Sequence, residues 1–92
     1  MSIQWLFDVI QSRKDNPSEG SYTSSLFVEG LLKIAQKVGE EGTEVVVAAL
    51  AQDNQRLIEE VADLTYHTLV LLAARGLTIE DISAELEKRH KH

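Results

Sequence analysis

Apolar residues recur every three or four positions along most of this chain, which is the spacing of one face of an α-helix. Ser2 can cap a first helix, because its side-chain oxygen can accept a bond from the first helical turn. The residue before a proline avoids the helical conformation, so this helix is expected to end before Pro17. Its apolar face consists of Ile3, Leu6, Phe7 and Ile10.

A second helix is expected from about Thr23 to Ala51, with Gly30 as the position at which it could break or kink. Asp53 and Asn54 are typical turn formers, so segment 52–55 is expected to reverse the chain. No segment shows a convincing alternation of apolar and polar residues, which would indicate a strand. The middle of the chain is therefore predicted to be helical on both sides of a short turn.

A third helix is predicted from about Asn54 to Arg75, and Gly76 can end it in the left-handed conformation. Thr78 followed by Asp81 is a capping signal for a fourth helix. The apolar residues of that helix, which we expect to face inward, are Ile79, Ile82 and Leu86.

The pattern predicts an all-α fold, in which a four-helix chain contains a central antiparallel helix hairpin and forms one domain over residues 1–92. From Leu64 to Ala74 the third helix has no formal charge and is apolar all round. A helix of this kind is buried on most sides, and so short a chain can hardly surround it. We therefore expect copies of the chain to share an oligomeric helical bundle, most simply as a homodimer.

Composition narrows the possible functions. The chain of 92 residues has no cysteine, which excludes a disulfide scaffold, cysteine-bound zinc and a cysteine nucleophile. Nine Lys and Arg against fifteen Asp and Glu give a formal charge of −6, which argues against a nucleic-acid partner. Met1–Phe7 lacks a basic leader and the longest apolar run contains Asp63 and His67, so we expect a cytoplasmic protein with no membrane span.

Charged residues of the second and third helices form two stripes at i+3 and i+4 spacing. The stripe on the second helix contains Lys33, Lys37, Glu40 and Glu44, with Glu41 beside it. The stripe on the third helix contains Glu60, Asp63 and His67. In an antiparallel hairpin, residues equidistant from the turn lie side by side. With the turn centred near Gln52, Glu44 is level with Glu60, Glu41 with Asp63, and Lys37 with His67.

Facing carboxylates repel one another in a partly dry site, and a divalent cation relieves this repulsion. Oxygen ligands without cysteine suit Mg²⁺, or Mn²⁺, better than Zn²⁺. Mg²⁺ held in this way usually binds substrate phosphates too, and Lys33 and Lys37 would meet further phosphate charge. Metal, polyphosphate and lysine together indicate a site for phosphoryl transfer or hydrolysis.

An ordinary structural reading is available for most of these residues. Helix glutamates are usually solvated, and Lys37–Glu41 and Arg56–Glu60 match common i,i+4 ion pairs. A lone histidine such as His67 is more often a hydrogen-bonded core residue than a ligand. Asp63 stands apart, because aspartate is a poor residue for the middle of a helix and this one enters an apolar run.

The spacing of the acidic residues resembles the signature of a known enzyme superfamily. Glu40-Glu41-x-x-Glu44 followed by Glu60-x-x-Asp63 resembles the signature of the all-α nucleoside-triphosphate pyrophosphohydrolase (MazG-like) superfamily. The wider text resembles the phosphoribosyl-ATP pyrophosphohydrolase family, and Gly42 departs from it where alanine is expected. The segments that carry this wider resemblance are 21–23, 33–41, 62–64, 66–67, 69–72 and 75–77.

The resemblance implies hydrolysis of phosphoribosyl-ATP to phosphoribosyl-AMP and pyrophosphate, the second step of histidine biosynthesis. It implies a Mg²⁺ site formed by Glu41, Glu44, Glu60 and Asp63. It implies that Glu40 and Glu41 are the catalytic residues. Glu40 would be a further metal ligand or would orient the attacking water. Phosphates of the small-molecule nucleotide would meet Lys33, Lys37 and His67, while Ser21, Tyr22 and Thr23 would close over the substrate.

Two other functions stay open from the sequence. The chain could be a superfamily member that acts on another nucleotide, such as a non-standard dNTP, because the acidic signature does not separate these substrates. It could also be a non-enzymatic module for helical oligomerisation, with its glutamates as ordinary surface charge.

Overall fold

Five α-helices form the fold in a computed structural model that describes residues 1–90, and this part of the chain contains no strand. They are α1 (Ile3–Asp15), α2 (Tyr22–Glu29), α3 (Leu31–Ala51), α4 (Asn54–Ala74) and α5 (Ile79–Arg89). The predicted all-α class is confirmed. None of these five helices combines the length with the apolar character that is needed to cross a membrane.

The helical stretch expected from Thr23 to Ala51 is divided into α2 and α3 at Gly30, the position at which a break or kink was expected. Gly30 has a φ of 99°, a conformation that favours glycine over residues with a side chain. Its N–H donates to the carbonyl oxygen of Leu26 at 3.0 Å, and its own carbonyl accepts from Ile34 at 3.1 Å. Gly30 therefore ends α2 and begins α3, so residues 1–90 form five helices where four were predicted.

Helices α3 and α4 form the antiparallel hairpin that the sequence predicts. Gln52 and Asp53 connect them, and the Asp53 side chain accepts a bond of 2.9 Å from the backbone N–H of Arg56. This bond satisfies one of the N–H groups that the start of a helix leaves without a partner. The hairpin makes the most extensive helix–helix contact in the described chain.

A small apolar core lies toward the open end of the hairpin, away from the turn. Side chains of α1, α2, α3 and α4 form this core. At its edge, Lys14 of α1 donates a hydrogen bond of 2.7 Å to the carbonyl oxygen of Ala73. The acidic residues lie between this core and the turn, and none of them belongs to the apolar cluster. The buried core residues are Phe7, Ile10, Leu26, Ile34, Leu69, Val70 and Ala73.

Helix α5 begins as predicted but packs differently. Thr78 and Asp81 form a capping box, in which each side chain bonds the other residue's backbone N–H. The prediction that its apolar residues face inward is wrong for two of them, because Ile82 is 44% exposed and Leu86 is 54% exposed. Within one chain, α5 lies along no other helix closely enough to cover this face.

Candidate metal centre

Three carboxylates from the two hairpin helices converge. Glu41 of α3 and Glu60 and Asp63 of α4 each offer an oxygen, and these oxygens all lie within 4.8 Å of one another. Glu60 and Asp63 share a face because they are one turn apart, and the antiparallel hairpin brings Glu41 across from them. Glu41 is only 6% exposed and Glu60 only 5%, whereas Asp63 is open to solvent.

The two buried glutamates each have one oxygen without a hydrogen-bond partner among residues 1–90. These atoms are Glu41 Oε2 and Glu60 Oε2. Burying an unpaired polar atom is costly, and a buried carboxylate beside other carboxylates costs more. A divalent cation with a preference for oxygen ligands fits this set of donors, because it would satisfy both oxygens at once.

Glu44 joins the cluster from the turn side. Protonated Glu44 can share its proton with the neighbouring carboxylates of Glu60 and Glu41, and this, together with the negative charge of Glu41, raises the pKa of Glu44 to about 7. A polar cavity of about 110 Å³ lies beside it, lined by Val47, Gln52 and Arg56 together with the two glutamates Glu44 and Glu60. Glu44 thus lies next to Glu60, the residue with which the hairpin register aligns it.

The raised pKa of Glu44 predicts how the stability of the metal-free protein depends on pH. The folded state holds the proton more tightly than the unfolded state, whose glutamate has the ordinary value of 4.5. The stabilisation is therefore complete below pH 4.5 and is lost as pH rises through about 7. We expect the unfolding temperature measured in EDTA to fall over this range more steeply for the wild type than for Glu44→Gln. Parallel curves for the two proteins would contradict this coupling.

Lys37 lies on the α3 side of the cluster, close to Glu41 and Glu40. Lys37 Nζ lies 3.5 Å from Glu41 Oε1 and 3.8 Å from Glu40 Oε2. Desolvation lowers the pKa of Lys37, but nearby Tyr22 and the two glutamates outweigh it and raise the pKa overall. Lys37 therefore keeps a positive charge beside the carboxylates.

Glu40 is not one of the converging carboxylates. Its Oε1 accepts a bond of 2.9 Å from Gln36, and this bond, followed by the charges of Lys37 and Lys33, lowers the pKa of Glu40. Lys33 is half-buried and contributes to the positive charge around Glu40. Lys33, Lys37 and Glu40 thus form a charged strip beside the cluster, and Lys37 connects this strip to Glu41.

The first turn of α2 is bonded to α4 next to the acidic cluster. His67 Nδ1 lies 2.8 Å from the carbonyl oxygen of Asp63, which can only accept, so this nitrogen carries the proton. His67 Nε2 then accepts from the Tyr22 hydroxyl at 3.1 Å. A second bond joins Thr23 Oγ1 to the Tyr66 hydroxyl. Both ring nitrogens of His67 are therefore already engaged in this conformation, and the imidazole is 5% exposed.

Sequence reasoning missed Tyr66 as part of this contact. Its ring lies 5.0 Å from that of His67 and 6.3 Å from that of Tyr22, measured between centroids. Burial raises the pKa of Tyr66, so its hydroxyl stays protonated and can bond Thr23. Its signals in the sequence are its position next to His67 and its place in segment 66–67, one of the segments that carry the family resemblance.

Comparisons with known proteins show which proteins this chain resembles. The family model described as phosphoribosyl-ATP pyrophosphohydrolase matches residues 4–90. A phosphoribosyl-ATP pyrophosphatase of Clostridium botulinum (strain Hall) is 52% identical over 89 residues, covering 97% of this chain and 81% of that protein. One of Lacticaseibacillus casei (strain BL23) is 56% identical over 88 residues, covering 96% and 80%. The histidine biosynthesis bifunctional protein HisIE of Oceanobacillus iheyensis is 54% identical over 81 residues, covering 88% of this chain and 38% of that protein.

Proposed function

Because this chain belongs to the phosphoribosyl-ATP pyrophosphohydrolase family, we propose that it hydrolyses the α–β phosphoanhydride of phosphoribosyl-ATP. The products are phosphoribosyl-AMP and pyrophosphate, and the reaction is a step of histidine biosynthesis. The names of the relatives support this activity, including that of the bifunctional histidine biosynthesis protein. The structural observation that supports it most directly is that Glu41 and Glu60, whose carboxylates converge across the hairpin, each have one buried oxygen without a partner among the described residues.

The proposed cofactor is Mg²⁺, for which Mn²⁺ could substitute. Glu41, Glu60 and Asp63 would hold it, and Glu44 would join them once it has lost its proton. All four are oxygen donors, which are the ligands that these two ions prefer. When bound, the cation would neutralise charge on the polyphosphate and on the departing pyrophosphate.

The chain's own residues supply binding and proton transfer. Lys37 and Lys33 would bind substrate phosphates, because both lie on the strip beside the carboxylates and carry positive charge. Tyr22 and Thr23 would border the substrate from the first turn of α2. His67 would act mainly through Tyr22, since both of its ring nitrogens are engaged.

Glu40 is the proposed general base. Glu41, the other proposed catalytic residue, would act as a ligand of the cation. Glu40 is exposed beside the cluster, so its carboxylate is accessible to a water molecule there. It would take one proton from water as the oxygen attacks phosphorus in line. The anhydride P–O bond then breaks, and its electron pair leaves with pyrophosphate. Water thus adds across one bond, and no covalent protein intermediate is needed.

A substrate comparison tests this proposal. We expect pyrophosphate release from phosphoribosyl-ATP to exceed that from every member of a dNTP panel in kcat/KM. Preference for a non-standard dNTP would support the related superfamily activity instead. Activity on none of these substrates, together with no saturable Mg²⁺ or Mn²⁺ binding in calorimetry, would leave a non-enzymatic helical module.

We also propose that the protein works as a homo-oligomer, most simply a dimer, in the cytoplasm, where its ATP-derived substrate is made. Large apolar side chains on several helices are exposed in the single chain, which is typical of an uncovered interface. A stable monomer in light scattering at micromolar concentration would contradict the assembly. The most exposed of these side chains are Leu32, Leu50 and Val28, at 85%, 83% and 79%.

A further inference from the structure

Arg56 occupies an unusual place for a cation. It is the third residue of α4, which begins at Asn54 after the capping residue Asp53. The start of a helix carries partial positive charge, so acidic residues are favoured there and basic residues are disfavoured. The first turn of α4 contains no acidic residue at all. A residue placed against a local preference is often explained by what its side chain does elsewhere.

The guanidinium of Arg56 reaches the candidate metal centre. One of its nitrogens bonds Glu60 Oε1, and another bonds the exposed Glu59. Glu60 Oε2, the second oxygen of the same carboxylate, is buried and has no partner in the described part of the chain. Arg56 thus holds one oxygen of Glu60, and the other oxygen stays buried and without a partner among the described residues.

The same arrangement occurs on α3. Lys37, one turn before Glu41, lies 3.5 Å from Glu41 Oε1, while Glu41 Oε2 is the second unpartnered oxygen. On both helices, a basic residue four positions earlier pairs with Oε1 of a buried glutamate. The repetition on two helices that run in opposite directions indicates a device for orienting the two carboxylates.

We propose that Arg56 is a positioning residue for the metal centre, an inference that rests on the proposed function. By holding Oε1, it fixes the rotation of the Glu60 carboxylate so that Oε2 faces the cation without rearrangement. Hydrogen-bond partners of metal-binding carboxylates orient the ligands, and their loss typically weakens metal affinity about 10- to 100-fold. Arg56 does not bind the cation itself, since a guanidinium has no acceptor atom.

Calorimetric titration of the metal-free protein with Mn²⁺ tests this role. We expect Arg56→Gln to raise the dissociation constant for Mn²⁺ by about tenfold or more. Arg56→Lys should recover part of the affinity, because Lys37 makes the equivalent contact on α3. In activity assays, the half-saturating Mn²⁺ concentration should rise by a similar factor, while kcat at saturating Mn²⁺ should stay near the wild-type value.

Arg89→Gln is the matched control. Arg89 pairs with Glu85 at 3.0 Å in an i,i+4 arrangement, but both side chains are exposed on α5. Its removal should leave Mn²⁺ affinity unchanged. Equal Mn²⁺ affinity of Arg56→Gln and the wild type would overturn the positioning role. Tighter Mn²⁺ binding by Arg56→Gln would also overturn it, because the Arg56 guanidinium would then compete with the cation for Glu60. If the wild type shows no saturable binding, the metal centre itself fails and the role of Arg56 fails with it.

Discussion

Asp63→Asn and Glu44→Gln are each expected to reduce phosphoribosyl-ATP hydrolysis by about a thousandfold or more, while the helical content stays the same. A bound metal ion contributes several kcal/mol of transition-state stabilisation. Loss of about 4 kcal/mol corresponds to three factors of ten in rate. Both side chains are exposed, and both replacements keep the shape of the side chain. The fold therefore has no reason to change, and the loss would report on the metal centre.

Steady-state kinetics and circular dichroism measure the two parts of this expectation. Glu85→Gln is a suitable control, because Glu85 is an exposed glutamate on α5 that pairs only with Arg89 among the described residues. It should keep wild-type activity. Wild-type turnover in either Asp63→Asn or Glu44→Gln would remove that residue from the proposed set of ligands.

Binding of Mg²⁺ is expected to stabilise the folded chain strongly. A cation that binds only the folded state adds about 2.7 kcal/mol at a concentration one hundred times its dissociation constant. In a domain of this size, each kcal/mol corresponds to about 4–8 °C in unfolding temperature. The unfolding temperature should therefore rise by about 10 °C or more. The physical source is the relief of repulsion among carboxylates, two of which have buried oxygens without partners.

Thermal unfolding in EDTA and in saturating Mg²⁺ measures this shift. The protein should stay folded in EDTA although its activity stops, because the core of Phe7, Ile10 and Val70 contains none of the acidic residues. Asp63→Asn should lose most of the Mg²⁺-dependent shift. An equal shift in wild type and Asp63→Asn would mean that the cation stabilises the protein at another place.

The sequence predicted the parts of the fold that depend on local signals. Ser2 and Thr78 each accept a backbone N–H bond at the start of a helix, as predicted for capping residues. Asp53, predicted as a turn former, lies in the turn and also caps α4. The short turn then fixes the register of the hairpin, so the convergence of Glu41 with Asp63 could be predicted from their distances to the turn. This step needed no knowledge of tertiary packing.

The remaining features depend on contacts between distant segments. Gly30 can occur within a helix or between two, and only the packing of α2 on its neighbours decides between these outcomes. The bond from Tyr22 to His67 spans 45 positions, so no spacing rule indicates it. The unpartnered state of the two glutamate oxygens could not be predicted either, because burial is a property of the assembled chain.

The two-residue turn has a consequence for how this enzyme can evolve. All four proposed ligands lie between Glu41 and Asp63, within one uninterrupted hairpin, so the proposed set draws on neither of the outer helices α1 and α5. A second enzyme can then be fused at either end without rebuilding the chemistry in between. The bifunctional relative, of which a matching region makes up 38%, is consistent with such modular reuse.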